Sequence, residues 1–329
     1  SILAILMMIF GVAILLLNQI SVKSRKSYTT VTGKSGQISK FNLGRSGKYI
    51  IAIILIIITF FTSIFPIVSF AFETFLPNPG DYSFLYTGDP DNLTTKWWVT
   101  NENITENGMY GQQGILYNDM IWHAYKGTIM VSVCCALTAG TIGTLIGYAV
   151  SKNRRSRWAN YVNSVAFLPY LMPSIAVGVA FFILFSNKYV NLFNTYALLI
   201  IVGTVKYIPF ASRSSLNSML QLSGEIEEAA IIQDIPWTKR MTRIIIPIQK
   251  TSIISGYLLP FMTCLRELSL FILLCVQGFI LSTTLDYFDE MGLYAFSSGI
   301  NLILIVTILI CNALVNKATG ASLDKGIGG

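Results

Sequence analysis

Charge is what this chain has least of. Asp, Glu, Lys and Arg make up 12% of its 329 residues against 53% hydrophobic residues, and the mean hydropathy is +0.61. A soluble domain of this size could not stay dispersed on so little charge, so the composition points to an integral membrane protein. Histidine is almost missing: His123, beside Trp122, stands alone. An interfacial histidine among aromatics is more often an anchor than a ligand. No catalytic grouping and no metal-ligand spacing accompany it, so neither a catalytic nor a metal site is expected. The five cysteines, Cys134, Cys135, Cys264, Cys275 and Cys311, fall in or beside apolar runs, where they behave as small hydrophobes and form no disulfide framework. A nucleotide cradle is missing too. Gly33-Lys34-Ser35 has Tyr28 where the motif needs its first glycine. The formal net charge of +7 is distributed by loop, without the basic and aromatic stripe of a nucleic-acid surface, so no nucleic-acid partner is expected.

What is abundant is long apolar runs. At about 20 residues per crossing, spans are expected near 1–20, 49–72, 124–150, 162–186, 193–212, 250–275 and 299–316, an all-α polytopic protein of about seven spans. Loop charge orients them. Segments 21–48 and 151–161 carry Lys and Arg without acids and belong in the cytoplasm. Segment 73–123 carries seven acids against Lys96, and 276–298 carries Asp286, Asp289 and Glu290 without a base, so both belong outside. The alternation places the polar insert 213–249 in the cytoplasm.

That insert is more than a connector. Glu225, Glu227 and Glu228 open it, and Lys239, Arg240 and Arg243 come late, the order that suits a helix dipole. Gly224 precedes the first run, Asp234 and Pro236 break it, and Trp237 restarts it, giving two short helices around a turn. The register Glu228-Ala229-Ala230, a turn at Asp234 and an apolar-Pro close at Ile246-Pro247 resembles the EAA loop of type I ABC importer permeases. In that family the loop is a coupling helix seated in a groove of a separate cytoplasmic ATPase. The family usually has glycine where this chain has Asp234, a residue that tolerates left-handed angles and can cap the following helix. The resemblance implies a type I ABC importer transmembrane fold in a bacterial inner membrane. It also implies coupling residues Glu227, Glu228, Ala229, Ala230, Asp234 and Pro247 within the loop 224–247. Its implied partners are a dimer of ATPase subunits, a second permease half, an extracytoplasmic substrate-binding protein and the lipid bilayer. ATP and Mg would sit on the ATPase, with no cofactor on this chain.

The resemblance extends toward the N-terminus. Tyr28-Thr29-Thr30-Val31-Thr32-Gly33-Lys34 is similar to the inter-half linker of fused ferric iron permeases. On that reading residues 1–20 are the last helix of a preceding half, 21–48 a basic linker, 49–72 the first helix of this half, and 73–117 an extracytoplasmic loop. The permease core would then be 118–317 and the cytoplasmic tail 318–329. A flexible basic loop lying near anionic lipid would read the same way. Ferric iron, or a related anionic solute such as a sugar phosphate or phosphonate, is the implied substrate class.

Two features at membrane depth are candidates for the substrate pathway. Pro169 and Pro173 lie early in the fourth span, where lost backbone donors kink a helix, and similar prolines occur there in the family. Arg266 and Glu267 are expected about 22 Å along the sixth span at 1.5 Å per residue. Arg266 would meet an anion, Glu267 a cation, or the charges would neutralise each other or a neighbouring helix. Gly140, Gly143 and Gly147 form a small face suited to close helix packing. The alternative class is an ion-gradient-driven secondary transporter. It would spread ionisable residues through several spans, whereas the deep charges are expected to be nearly confined to Arg266 and Glu267.

Overall fold

The computed structural model describes residues 9, 44–78, 80–83, 86, 93–104 and 111–319. The expected first span at 1–20 (apart from Ile9), the linker up to residue 43 and the tail from residue 320 lie outside the described residues. Among the described residues the regular structure is helical, with only two isolated bridges, Ile104 with Gln112 and Ser186 with Asn191.

The first helix, α1 (Gly44–Thr59), runs through a π-helical turn (Phe60–Ile64) into α2 (Phe65–Glu73), and α3 (Lys96–Val99) lies in the following loop. α4 (Asp119–Lys152) is 34 residues long and starts where the Asn118 side chain accepts the Ile121 N–H at 3.2 Å. At 1.5 Å per residue it is about 50 Å long, well beyond the roughly 30 Å hydrocarbon layer, so an end must project into water. Next come α5 (Arg157–Leu171), α6 (Ser174–Phe185) and α7 (Tyr196–Gln221). α7 is capped by Thr195, whose hydroxyl accepts from Leu198 N at 3.3 Å. The polar insert forms α8 (Gly224–Ile232), α9 (Trp237–Arg240), a π-helical turn (Met241–Ile245) and α10 (Ile246–Ile248). α11 (Lys250–Leu265), α12 (Leu281–Glu290) and α13 (Tyr294–Thr319) are the last helices among the described residues.

α4, α7 and α11 form the packed centre. Gly143 and Gly147 of α4 sit against the α7 backbone around Ala211–Leu216, and Gly140 lies under the Tyr257 ring of α11. With no Cβ in the way the helices approach closely, the dispersion-driven association that lipid leaves available. Val131, Cys135, Ala139, Val202, Tyr207 and Phe271 fill the cluster beyond. The first span differs. Its residues Ser46–Glu73 are apolar all round, and none of the most apolar stretch is buried.

Four stretches are long and apolar enough to cross a membrane, or up to six if each bent pair is one span, so the expected seven are not reached among the described residues. Two expected spans are not straight helices. The span expected at 162–186 is α5 and α6 bent by 101° around Met172 and Pro173. The span expected at 250–275 ends as a helix at Leu265, and residues 266–280 form consecutive turns. Here the Glu267 side chain accepts the Leu270 N–H at 3.2 Å and starts a new turn, a local bond that competes with helix continuation.

Candidate functional site

The insert folds as two short helices because each end carries its own stop signal. Ser223 caps α8, its hydroxyl accepting from Glu225 N at 3.4 Å, and Glu225 and Glu227 occupy the positive first turn. α8 ends in a Schellman arrangement: Asp234 N–H reaches Ile231 O at 2.9 Å and Ile235 N–H reaches Ala230 O at 3.1 Å. Asp234 takes the left-handed position of that motif, at φ 53°. It does not cap the helix that follows: Pro236 is the residue before α9, and no side chain caps α9 there. The stretch Trp237–Ile248, which includes Pro247, is bent by 86° from α11.

The residues of the motif do not share a face. Glu228, Ala229, Ile231 and Ile232 are exposed, Ile232 by 83%. Ala230 is buried against the body of the protein, and Glu227 is only 5% exposed. The Glu227 carboxylate accepts the Tyr148 hydroxyl and pairs with the Lys152 ammonium, both from the last turns of α4, and Arg240 Nε of α9 lies 3.9 Å away. Tyr148 stacks obliquely on Trp237, centroids 6.3 Å apart, and Met219, Met241, Ile245 and Ile253 pack behind. Burial pushes the Glu227 carboxyl up, but Lys152, Tyr148 and Arg240 outweigh it and hold the group below its ordinary value.

At membrane depth the structure separates the two expected charges. Arg266 is the exposed residue that ends α11, not an intrahelical one, and no described carboxylate pairs with it. Glu267 turns inward: Tyr207 donates its hydroxyl to the carboxylate at 3.0 Å, and Ser282 donates to the Glu267 carbonyl at 2.8 Å. Lys206 was missed. It is 8% exposed in the middle of α7, and its ammonium donates to Pro169 O at 3.0 Å and Met172 O at 2.6 Å. Those carbonyls lie beside the Pro173 break, so the lysine satisfies acceptors that the bend frees. Deep charge is therefore not confined to Arg266 and Glu267. The signal was a lone Lys206 in the apolar run from Tyr196 to Phe210, a placement that is costly without a partner.

A helical core with two bent helix pairs and a helical insert is the architecture shared with ABC importer permeases. The chain belongs to the family described as binding-protein-dependent transport system inner membrane component, whose model matches residues 139–321. It is thus a multi-pass protein of the inner membrane. The ferric transport system permease protein FbpB of Actinobacillus pleuropneumoniae is 22% identical over 275 residues, covering 83% of this chain and 37% of that protein. The putrescine transport system permease protein PotI of Escherichia coli K12 is 26% identical over 204 residues, 59% of this chain and 68% of that one. The chain spans less than half the length of the ferric relatives it matches. Among solved structures, a bacterial ABC transporter involved in the import of the acidic polysaccharide alginate shares the fold at TM-score 0.58 and 16% identity, over 83% of this chain and 98% of that one.

Proposed function

We propose that this chain forms one membrane half of an ATP-driven importer and converts the motion of a separate ATPase into alternating access. The observation that carries the reading is the outward face of α8. Ile232 and Ile231 stand exposed beside Ala229 and Glu228, on the side of the membrane that loop charge assigns to the cytoplasm. An exposed apolar patch with an acid at its edge is a docking surface, not a lipid contact. ATP and Mg belong to that ATPase, and this chain is the transport subunit. The most apolar stretch of the first span, none of which is buried, leaves a surface for lipid or a second permease half.

On the outer side the partner is a substrate-binding protein. A solved relative of the same fold is described in complex with an alginate pentasaccharide-bound periplasmic protein. Ferric iron is the favoured substrate, from the linker resemblance and the ferric transport relatives, with other anionic solutes next. Arg266 and Glu267, with Pro169 and Pro173 at the bend, are the proposed pathway residues. The test of the coupling claim is Glu228→Lys in the co-expressed transporter. ATPase recovered with the permease should fall at least tenfold while membrane insertion stays normal; undiminished recovery would sink the docking assignment. The ligand found in the cognate binding protein decides the substrate.

A further inference from the structure

Of the two adjacent glutamates of the insert, Glu227 is buried in a bonded cluster and Glu228 is exposed and free to meet a partner. We propose that Glu227 is a positioning residue, an internal latch that fastens the coupling segment to the projecting end of α4 so that the two move as one body. This rests on the reading of α8 as the ATPase docking face.

One carboxylate gathers groups from three elements. Tyr148 and Lys152 are four residues apart and therefore on one face of α4, while Arg240 comes from α9 and Glu227 itself from α8. Without the carboxylate, α8 keeps only the small buried side chain of Ala230, while the Tyr148–Trp237 contact and the cluster of Met219, Met241, Ile245 and Ile253 hold α9 and the turn after it. The carboxylate end of the pair is buried while the Lys152 side chain is 37% exposed, so the pair is screened by salt on the lysine side only. α4 is also the longest helix among the described residues and packs on both α7 and α11. A displacement of the docking face that enters α4 at Lys152 reaches the packed centre directly. The exposed Glu228 has no such bond among the described residues and stays available to a partner. The division of labour is thus inward Glu227 for transmission and outward Glu228 for docking.

The test uses the assembled transporter, this chain with its ATPase in lipid nanodiscs. Nitroxide amino acids replace Asp119 at the outer end of α4 and Gln233 at the end of α8, leaving the native cysteines in place. Both positions are exposed. Their separation is on the order of the α4 length, about 50 Å, within range of pulsed electron resonance. In the latched protein the distance distribution stays single and narrow whether the ATPase is empty or trapped with ATP and vanadate. With Glu227→Gln or Lys152→Met the trapped state should broaden or shift by several ångströms, and Lys152→Arg, which keeps charge and reach, should restore the narrow distribution. The nucleotide dependence separates transmission from a loss of stability, which would affect both states. Unchanged narrow distributions in Glu227→Gln and Lys152→Met would overturn the latch. So would loss of the ATPase from Glu227→Gln with full retention in Glu228→Lys, because the inward residue would then be the docking one. Retention in both variants would refute the docking assignment alone and leave the distance measurement to judge the latch.

Discussion

Substituting Gly143 with alanine puts the close packing of α4 on α7 to a quantitative test. An added Cβ would lie 2.5 Å from Ala211 Cβ, 2.7 Å from Ser212 N and 2.9 Å from Ala211 C, where ordinary contact begins at 3.4 Å. The obstacles include backbone atoms, so no flexible side chain can swing aside. The helices must separate by about 1 Å, which also loosens the neighbouring contact at Gly147. Overpacking of this kind costs about 1 to 3 kcal/mol, and against backbone atoms the upper part of that range applies, about 2 to 3 kcal/mol. Alanine returns up to about 1 kcal/mol through better helix propensity. The balance is a loss of about 1 to 2 kcal/mol, readable as a lower denaturation midpoint of the purified permease in detergent. Gly224→Ala is the control. Its nearest neighbour would be Glu228 Oε1 at 3.7 Å, so its midpoint should stay within about 0.5 kcal/mol of the parent. A Gly143→Ala protein as stable as the parent would refute the argument that glycine sets the helix separation.

Four further outcomes are expected. Asp234→Gly should stabilise the turn between α8 and α9 by about 1 kcal/mol, since glycine holds φ 53° without a Cβ penalty, and amide exchange in the 224–240 segment should slow accordingly. Lys206→Met should lower thermal stability by about 1 to 3 kcal/mol: two charge-assisted bonds to Pro169 and Met172 carbonyls disappear, partly offset because no charge is then buried. Arg266→Gln should leave stability within about 0.5 kcal/mol, because the exposed guanidinium has no described ion-pair partner, and a larger drop in the thermal midpoint would reveal one. The Glu227 carboxyl is held below its ordinary value, so its stabilisation is fully present above the unfolded-state value near 4.5 and is lost as pH falls through the lower folded one. Acid should accordingly loosen the 224–240 amides in the parent protein, while in Glu227→Gln they should already be loose at neutral pH and change little.

The parts legible in the sequence were those written by local rules. Apolar length marked the spans that became α4, α7 and α13, and Gly224, Asp234 and Pro236 marked the ends of the insert helices, because caps and turns depend on near neighbours. Long-range partners were hidden. Nothing local distinguishes Glu227 from Glu228, and only the approach of Tyr148 and Lys152, some 75 to 80 positions earlier, turns one of them inward. The helix end at Leu265 was hidden for a related reason. Residues 266–275 are apolar enough to continue the span, yet Glu267 finds Tyr207 and its own Leu270 amide and starts a new turn. Lys206 is legible as the one charge in an apolar run long enough to span, but its acceptors, the Pro169 and Met172 carbonyls, lie more than 30 positions earlier and are not.

The central claim is that the exposed face of α8 seats an ATPase, and Ile232 is the residue to probe, being 83% exposed and outside the latch. A photoreactive amino acid at position 232, irradiated in membranes carrying the whole transporter, should yield one dominant adduct with the ATPase, and Glu228→Lys should diminish it. An adduct with lipid alone, or none above background in a transporter that still imports, would contradict the account.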